Sequence, residues 1–161
     1  MKQFDATQKT IGGNRFYIRP FPAFQCAYMS GEIIAFVAPV ASSLLPMAGE
    51  AARGDAEGFA DMDAEKVAAM LSGGLSTVSG DKTEHILKLL LTNRKNVSVL
   101  IDGEGEEKTL DEDTANEIFC CCIFDMLVLA VEVIKVNFPD ISKRLGGLFG
   151  NLANGLLRKM A

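Results

Sequence analysis

Cys120, Cys121 and Cys122 stand side by side, and adjacent thiols are the residues of this chain best equipped for chemistry. Thiolates ligate zinc, exchange disulfides and attack electrophiles. Their spacing points elsewhere. The surrounding run, EIFCCCIFDMLVLAVEVIKVNF from Glu117 to Phe138, has helical character. Successive helical residues point about 100° apart, so three neighbouring thiolates diverge. Zinc sites set their ligands two or more residues apart so that the chain can curl around the ion, and the remaining cysteine is Cys26. Glu117, Cys121, Asp125, Val128, Glu132 and Lys135 share one strip of such a helix. Cys120 and Cys122 flank that strip on the apolar side, where cysteine behaves as a small hydrophobe. The expectation is a central core helix with packed cysteines and no metal.

Other candidates for chemistry are weaker still. His85, the single histidine, shares a helix side with Lys88 and Thr92, which predicts solvent exposure. No Gly-x-Ser-x-Gly elbow and no glycine-rich phosphate loop occurs. The alternating acids from Asp102 to Glu107 lack the ligand order of a calcium loop and read as an acidic turn. Asp125 and Glu132 are separated by about 10 Å of helix, too far to act as a pair. Glu132 with Lys135, three residues on, reads as a surface ion pair. The residues predict no enzyme, no cofactor and no metal site.

The elements that position these groups are legible in outline. The 161 residues suit one domain, with 48% apolar and 23% charged side chains. A net charge of −5 disfavours nucleic acid, which requires a basic face. A polar beginning, MKQFDATQKT, lacks the apolar core of a signal peptide and predicts a cytoplasmic protein, as do cysteines without a disulfide pattern. Thr7 to Ile11 and Arg15 to Arg19 flank Gly12-Gly13-Asn14 and predict a β-hairpin. Helical spacing of Phe24, Ala27, Tyr28, Gly31, Ile34, Ala35 and Ala38 predicts a helix from Ala23 to Ala38, broken or kinked at Pro39. Residues 49–62 read as a flexible loop. Asp63 caps a helix through about Leu71. Asp81-Lys82-Thr83-Glu84 reads as a capping box opening the next, and Thr109 to Glu112 as a further cap. Val97 to Ile101 is a strand able to extend the hairpin to a three-stranded sheet. Glu117 to Phe138 cannot span a bilayer, because Asp125 and Glu132 interrupt it.

The fold expected is therefore mainly α, of α+β type: an α-rich domain over 1–138 and an amphipathic, conditionally ordered C-terminal segment over 139–161. In that segment Ile141, Leu145, Leu148, Phe149, Leu152 and Leu156 follow helical spacing, with four basic residues against Asp140. Gly146, Gly147, Gly150 and Gly155 each cost roughly 1 kcal/mol relative to Ala, so this helix forms best when its apolar side is covered. Its own domain, a partner protein or, less well, a membrane surface would serve as the cover.

NRFYIRPFPAFQCAYMSGEIIAFVAPV, from Asn14 to Val40, resembles the start of the tail assembly chaperones of long-tailed bacteriophages and prophages. KTLDEDTANEIFCCCIFDMLVLAVEVIKVNF, from Lys108 to Phe138, with VSVLIDG before it, carries the rest of the likeness. The resemblance implies a small, largely helical protein absent from the finished virion and active in the host cytoplasm. It implies binding to the aggregation-prone tape-measure protein, recruitment of the tail-tube protein, and self-association. Apolar helix faces are the expected means: Tyr28, Met29, Ile33 and Phe36 on the first helix, and Leu145, Leu148, Phe149, Leu152 and Leu156 at the C-terminus. Seven Met add adaptable contact area. Two rival classes fit the same residues: a minor structural tail component retained in the virion, and a membrane-active effector working through Ile141 to Met160.

Overall fold

A computed structural model describes residues 5–51, 63–103 and 105–141. The chain opens with the expected hairpin, β1 (Thr7–Ile11) and β2 (Asn14–Ile18), paired antiparallel with Ile11 opposite Asn14. Gly12 and Gly13 take φ of +56° and +83°. A two-residue turn that matches strand twist needs positive φ at both positions, which glycine adopts without strain. β3 (Val97–Leu100) pairs antiparallel with β2, placing Val99 opposite Phe16. A fourth strand, β4 (Glu107–Thr109), completes the order β1-β2-β3-β4, one strand more than the sequence predicts. Its three residues are all exposed, so it has none of the apolar alternation by which strands are recognised.

α1 (Ala23–Ala51) continues as one helix through Pro39, where a break or kink is expected, and through Pro46. Proline in a helix interior costs about 3 kcal/mol through its missing N–H and ring clash. Val37 and Val40, on either side of Pro39, are both fully buried, and burying such side chains contributes about 1.5–3 kcal/mol each. That packing offsets the local penalty. Of the loop expected over 49–62, residues 49–51 are helical and the remainder lies outside the described residues.

α2 (Ala64–Gly74) starts where predicted, Asp63 accepting from the Glu65 N–H at 3.4 Å. It outlasts Leu71 and passes into a 3-10 turn at Leu75–Thr77. α3 (Gly80–Leu91) is capped by Ser79, whose hydroxyl accepts from the Lys82 N–H at 3.4 Å, and not by Asp81. Asp81 falls one step inside the first turn, where its charge favours the helix dipole instead. α4 (Glu112–Phe119) is capped by Asp111, which accepts from the Thr114 N–H at 2.8 Å.

The predicted helix from Glu117 to Phe138 is two helices. α4 ends at Phe119, and α5 (Ile123–Asn137) begins after Cys120, Cys121 and Cys122. Phe119 is buried, its ring stacked on Phe16 at 5.8 Å and 12°, while Leu127 to Val131, Val133 and Ile134 are buried along α5. No single straight helix serves both anchors, and the chain turns at Cys122, where φ −133° and ψ 52° depart from helix. α5 is the core helix foreseen, packed against α2, α3 and the sheet. Its polar strip faces the hairpin. Lys9 Nζ lies 3.0 Å from Glu132 Oε2, and a Cβ on Gly12 would meet Asp125 Oδ2 at 2.6 Å.

Candidate interaction surface

α1 is apolar on two sides, and the fold buries only one. Met29, Ile33, Phe36, Val37 and Val40 recur at spacings of three and four and enter the core. The other side carries Phe24, Tyr28 and Ile34, exposed by 92%, 56% and 47%. Between them Ala27, Gly31, Ala35 and Ala38 are exposed as well, and from Ala23 to Val40 this side bears no charged residue. A Cβ built on Gly31 meets nothing within 4 Å, so the stripe has an open, shallow floor walled by three large side chains. Glu32 borders it, half-buried, its carboxylate 4.0 Å from His85 Nε2.

Selection of the buried side follows from volume. Interiors pack near crystal density, and the stripe with Met29, Ile33, Phe36, Val37 and Val40 fills space that alanines and a glycine would leave empty. Of the predicted contact residues on α1, Tyr28 is at the surface. Met29, Ile33 and Phe36, expected at a contact surface, are buried in the core. Phe24 and Ile34 are exposed beside Tyr28, and the signal for that exposure was the small-residue stripe they share. Leu145, Leu148, Phe149, Leu152 and Leu156 lie outside the described residues.

A second apolar region surrounds the α4–α5 corner. Ile123 and Phe124 are exposed there, and Ile123 joins Leu75, Val78, Leu87, Leu91 and Met126 in lining a cleft of about 720 Å³. Lys88 bridges the rim of that cleft to Glu84 at 2.9 Å and Glu112 at 3.3 Å. The hydrogen bond from Lys88 holds the Glu84 carboxyl below its ordinary range.

Cys120, Cys121 and Cys122 are exposed at the corner and are not core, because the helix that would have buried two of them ends at Phe119. Cys120 Sγ lies 3.9 Å from Cys121 Sγ, and hydrogen bonding to Cys120 raises the Cys121 thiol above its ordinary pKa. Burial raises Cys26, whose thiol donates weakly to the Phe21 carbonyl at 3.7 Å. Both shifts favour thiol over reactive thiolate. Among the described residues no group of three or more His, Cys, Asp or Glu is placed to hold a metal ion.

On the far side of the sheet Arg19 donates to Ser98 Oγ and to Glu107 Oε1, each at 2.8 Å, and Ser98 also donates to Glu107. The bonds from Ser98 and then Arg19 depress the Glu107 pKa. This network ties β4 to β3 and β2; nothing in it resembles a reaction centre.

A protein-family model described as phage tail assembly chaperone protein, TAC, matches residues 12–150. Neither the search of curated proteins nor that of solved structures returns a match.

Proposed function

Because this chain belongs to the phage tail assembly chaperone family, we propose that it binds the tape-measure protein through the exposed face of α1, keeps it soluble and recruits tail-tube subunits around it. The observation that carries this reading is a long helix side holding Phe24, Tyr28 and Ile34 in water with no charge among them. Exposed apolar area of that kind marks a contact surface. A tape-measure protein presents apolar helical seams of its own before a tube encloses it, and two such surfaces stabilise one another by removing area from water at roughly 25 cal/mol per Å². Aromatic residues framed by small ones make the anchors of such interfaces. The role is non-catalytic, performed in the host cytoplasm during assembly, and self-association is part of it.

Co-expression with the tape-measure protein tests the reading. Capture and a gain in soluble tape measure are expected from the native chain, and both should fall for Phe24→Asp with Tyr28→Asp. Undiminished capture by that folded double variant would remove α1 from the interface. No capture by the native chain would remove the function.

A second reading is favoured by one observation: Ala23–Val40 is long and apolar enough to cross a membrane by length and composition. Against it, Met29, Ile33, Val37 and Val40 already fill the core, and a lipid-embedded helix would have to abandon them. Flotation of the native chain with liposomes separates the two, the chaperone remaining at the bottom of the gradient.

A further inference from the structure

The cleft of about 720 Å³ is lined from α3, α4, α5 and the turn before α3, and by no residue of α1. Its volume falls among those of sites that enclose a bound group, roughly 300–1,000 Å³. Leu75, Leu87, Leu91, Ile123 and Met126 make its floor apolar. Gly80, in the first turn of α3, stands at its edge, and a Cβ there meets nothing within 4 Å. The rim is ionic. Lys88 Nζ is shared by Glu84 Oε1 and Glu112 Oε2, so two negative charges face one positive charge. Each carboxylate gives Lys88 one oxygen, and among the described residues Glu84 Oε2 and Glu112 Oε1 take no donor. The excess extends beyond the rim, since α3 and α4 together carry five acids and two lysines.

We propose that this cleft receives an amphipathic helix of a partner protein, its apolar stripe on the floor and an arginine beside that stripe at Glu84 and Glu112. Electrostatics sets the partner's charge. A carboxylate or phosphate approaching Lys88 would meet the two carboxylates that already hold it, which disfavours fatty acids, nucleotides and acidic helices. A guanidinium finds two open oxygens, and its five donors in one plane suit two carboxylates gathered on a single lysine. Shape sets the partner's form. A groove walled by α3, α4 and the start of α5 offers the ridges against which a further helix packs. The bridge from Lys88 to Glu112 ties α3 to α4 before any partner arrives, so little ordering is left to be done on binding. This contact is separate from the face of α1 and does not rest on the function proposed for that face.

The test titrates the full chain into two labelled, alanine-rich peptides of about 15 residues, long enough for some four turns of helix. Each has leucines at i, i+4 and i+7. One carries arginine at i+8 and the other at i−1, so that either helix direction brings the cation to the rim. Fluorescence anisotropy should show that at least one of them binds. Exchanging its arginine for glutamate, or its leucines for alanine, should weaken binding by at least about tenfold. Gly80→Phe, which places a ring in the cleft where a Cβ meets no atom, should weaken it as much while circular dichroism and thermal melting stay native. Glu112→Arg should weaken the arginine peptide and restore the glutamate peptide. No saturation by either peptide at about millimolar concentration overturns the proposal. So does equal affinity after either exchange in the peptide, binding unmoved in the folded Gly80→Phe chain, or a failed charge swap. Loss of binding in the folded Phe24→Asp, Tyr28→Asp chain would move the peptide to α1 and overturn it too. Peptide binding without tape-measure capture leaves the cleft standing and removes the function; capture without peptide binding does the reverse.

Discussion

Tyr28 and Met29, neighbours on α1 and about 100° apart around it, meet different surroundings: Tyr28 keeps 56% of its surface in water and Met29 keeps 0%. One step along the helix separates an exposed residue from a core residue. Met29→Ala should cost about 2–5 kcal/mol by leaving a cavity. Tyr28→Ala should change stability by no more than about 0.5 kcal/mol. Chemical denaturation measures both, and tape-measure capture per folded molecule should fall only for Tyr28→Ala. The reverse ranking of stabilities would mean that α1 is rotated relative to the arrangement described.

Two glycines should respond to alanine with opposite sign. Gly31 lies inside α1 with nothing within 4 Å of a Cβ, so Gly31→Ala should stabilise by about 0.5–1 kcal/mol. Gly12→Ala should destabilise, because φ is +56° and the new Cβ would meet Asp125 Oδ2 at 2.6 Å. Paired thermal melts check the two signs.

Acid should weaken the fold through depressed carboxylates. Glu107 is held below its ordinary value of 4.5 by Ser98 and Arg19, and Asp111 below 3.8 by the Thr114 N–H. A group whose pKa is lower in the folded state binds fewer protons there than when unfolded. Its contribution is thus fully present above the unfolded value and lost as pH falls through the folded one. Stability should decline as pH drops below about 4.5, and Glu107→Gln should flatten that decline while lowering stability at pH 7. Urea melts at several pH values give the slope; an unchanged slope in Glu107→Gln would disprove the assignment.

Thiol labelling of the native chain should separate into two classes. Cys120, Cys121 and Cys122 are exposed and should react readily, whereas half-buried Cys26, its thiol raised by burial, should lag by at least about tenfold. Mass spectrometry of partly labelled protein reads the order. Preferential reaction of Cys26 would place the corner cysteines inside, as a continuous helix requires.

Features that depend on neighbours in the chain were legible without coordinates. The Gly12-Gly13 turn, the Asp63 cap and the helical character of α1 each follow from the residues at hand. β4 was not legible, because Glu107, Lys108 and Thr109 hold their place through the ladder to β3 and the bonds from Arg19 and Ser98. The break at Cys120 to Cys122 was not legible either. Its cause is the ring of Phe119 seated on Phe16, a residue far away in sequence.

By itself the order of residues determined that α1 has more apolar surface than one buried side can use, since composition and helical period are properties of the chain alone. Which side goes inward was decided by tertiary packing. Met29, Ile33, Phe36, Val37 and Val40 fill the volume between α1 and the other elements, and the alanine and glycine stripe cannot. Close packing favours the larger set, and the smaller one is left facing solvent.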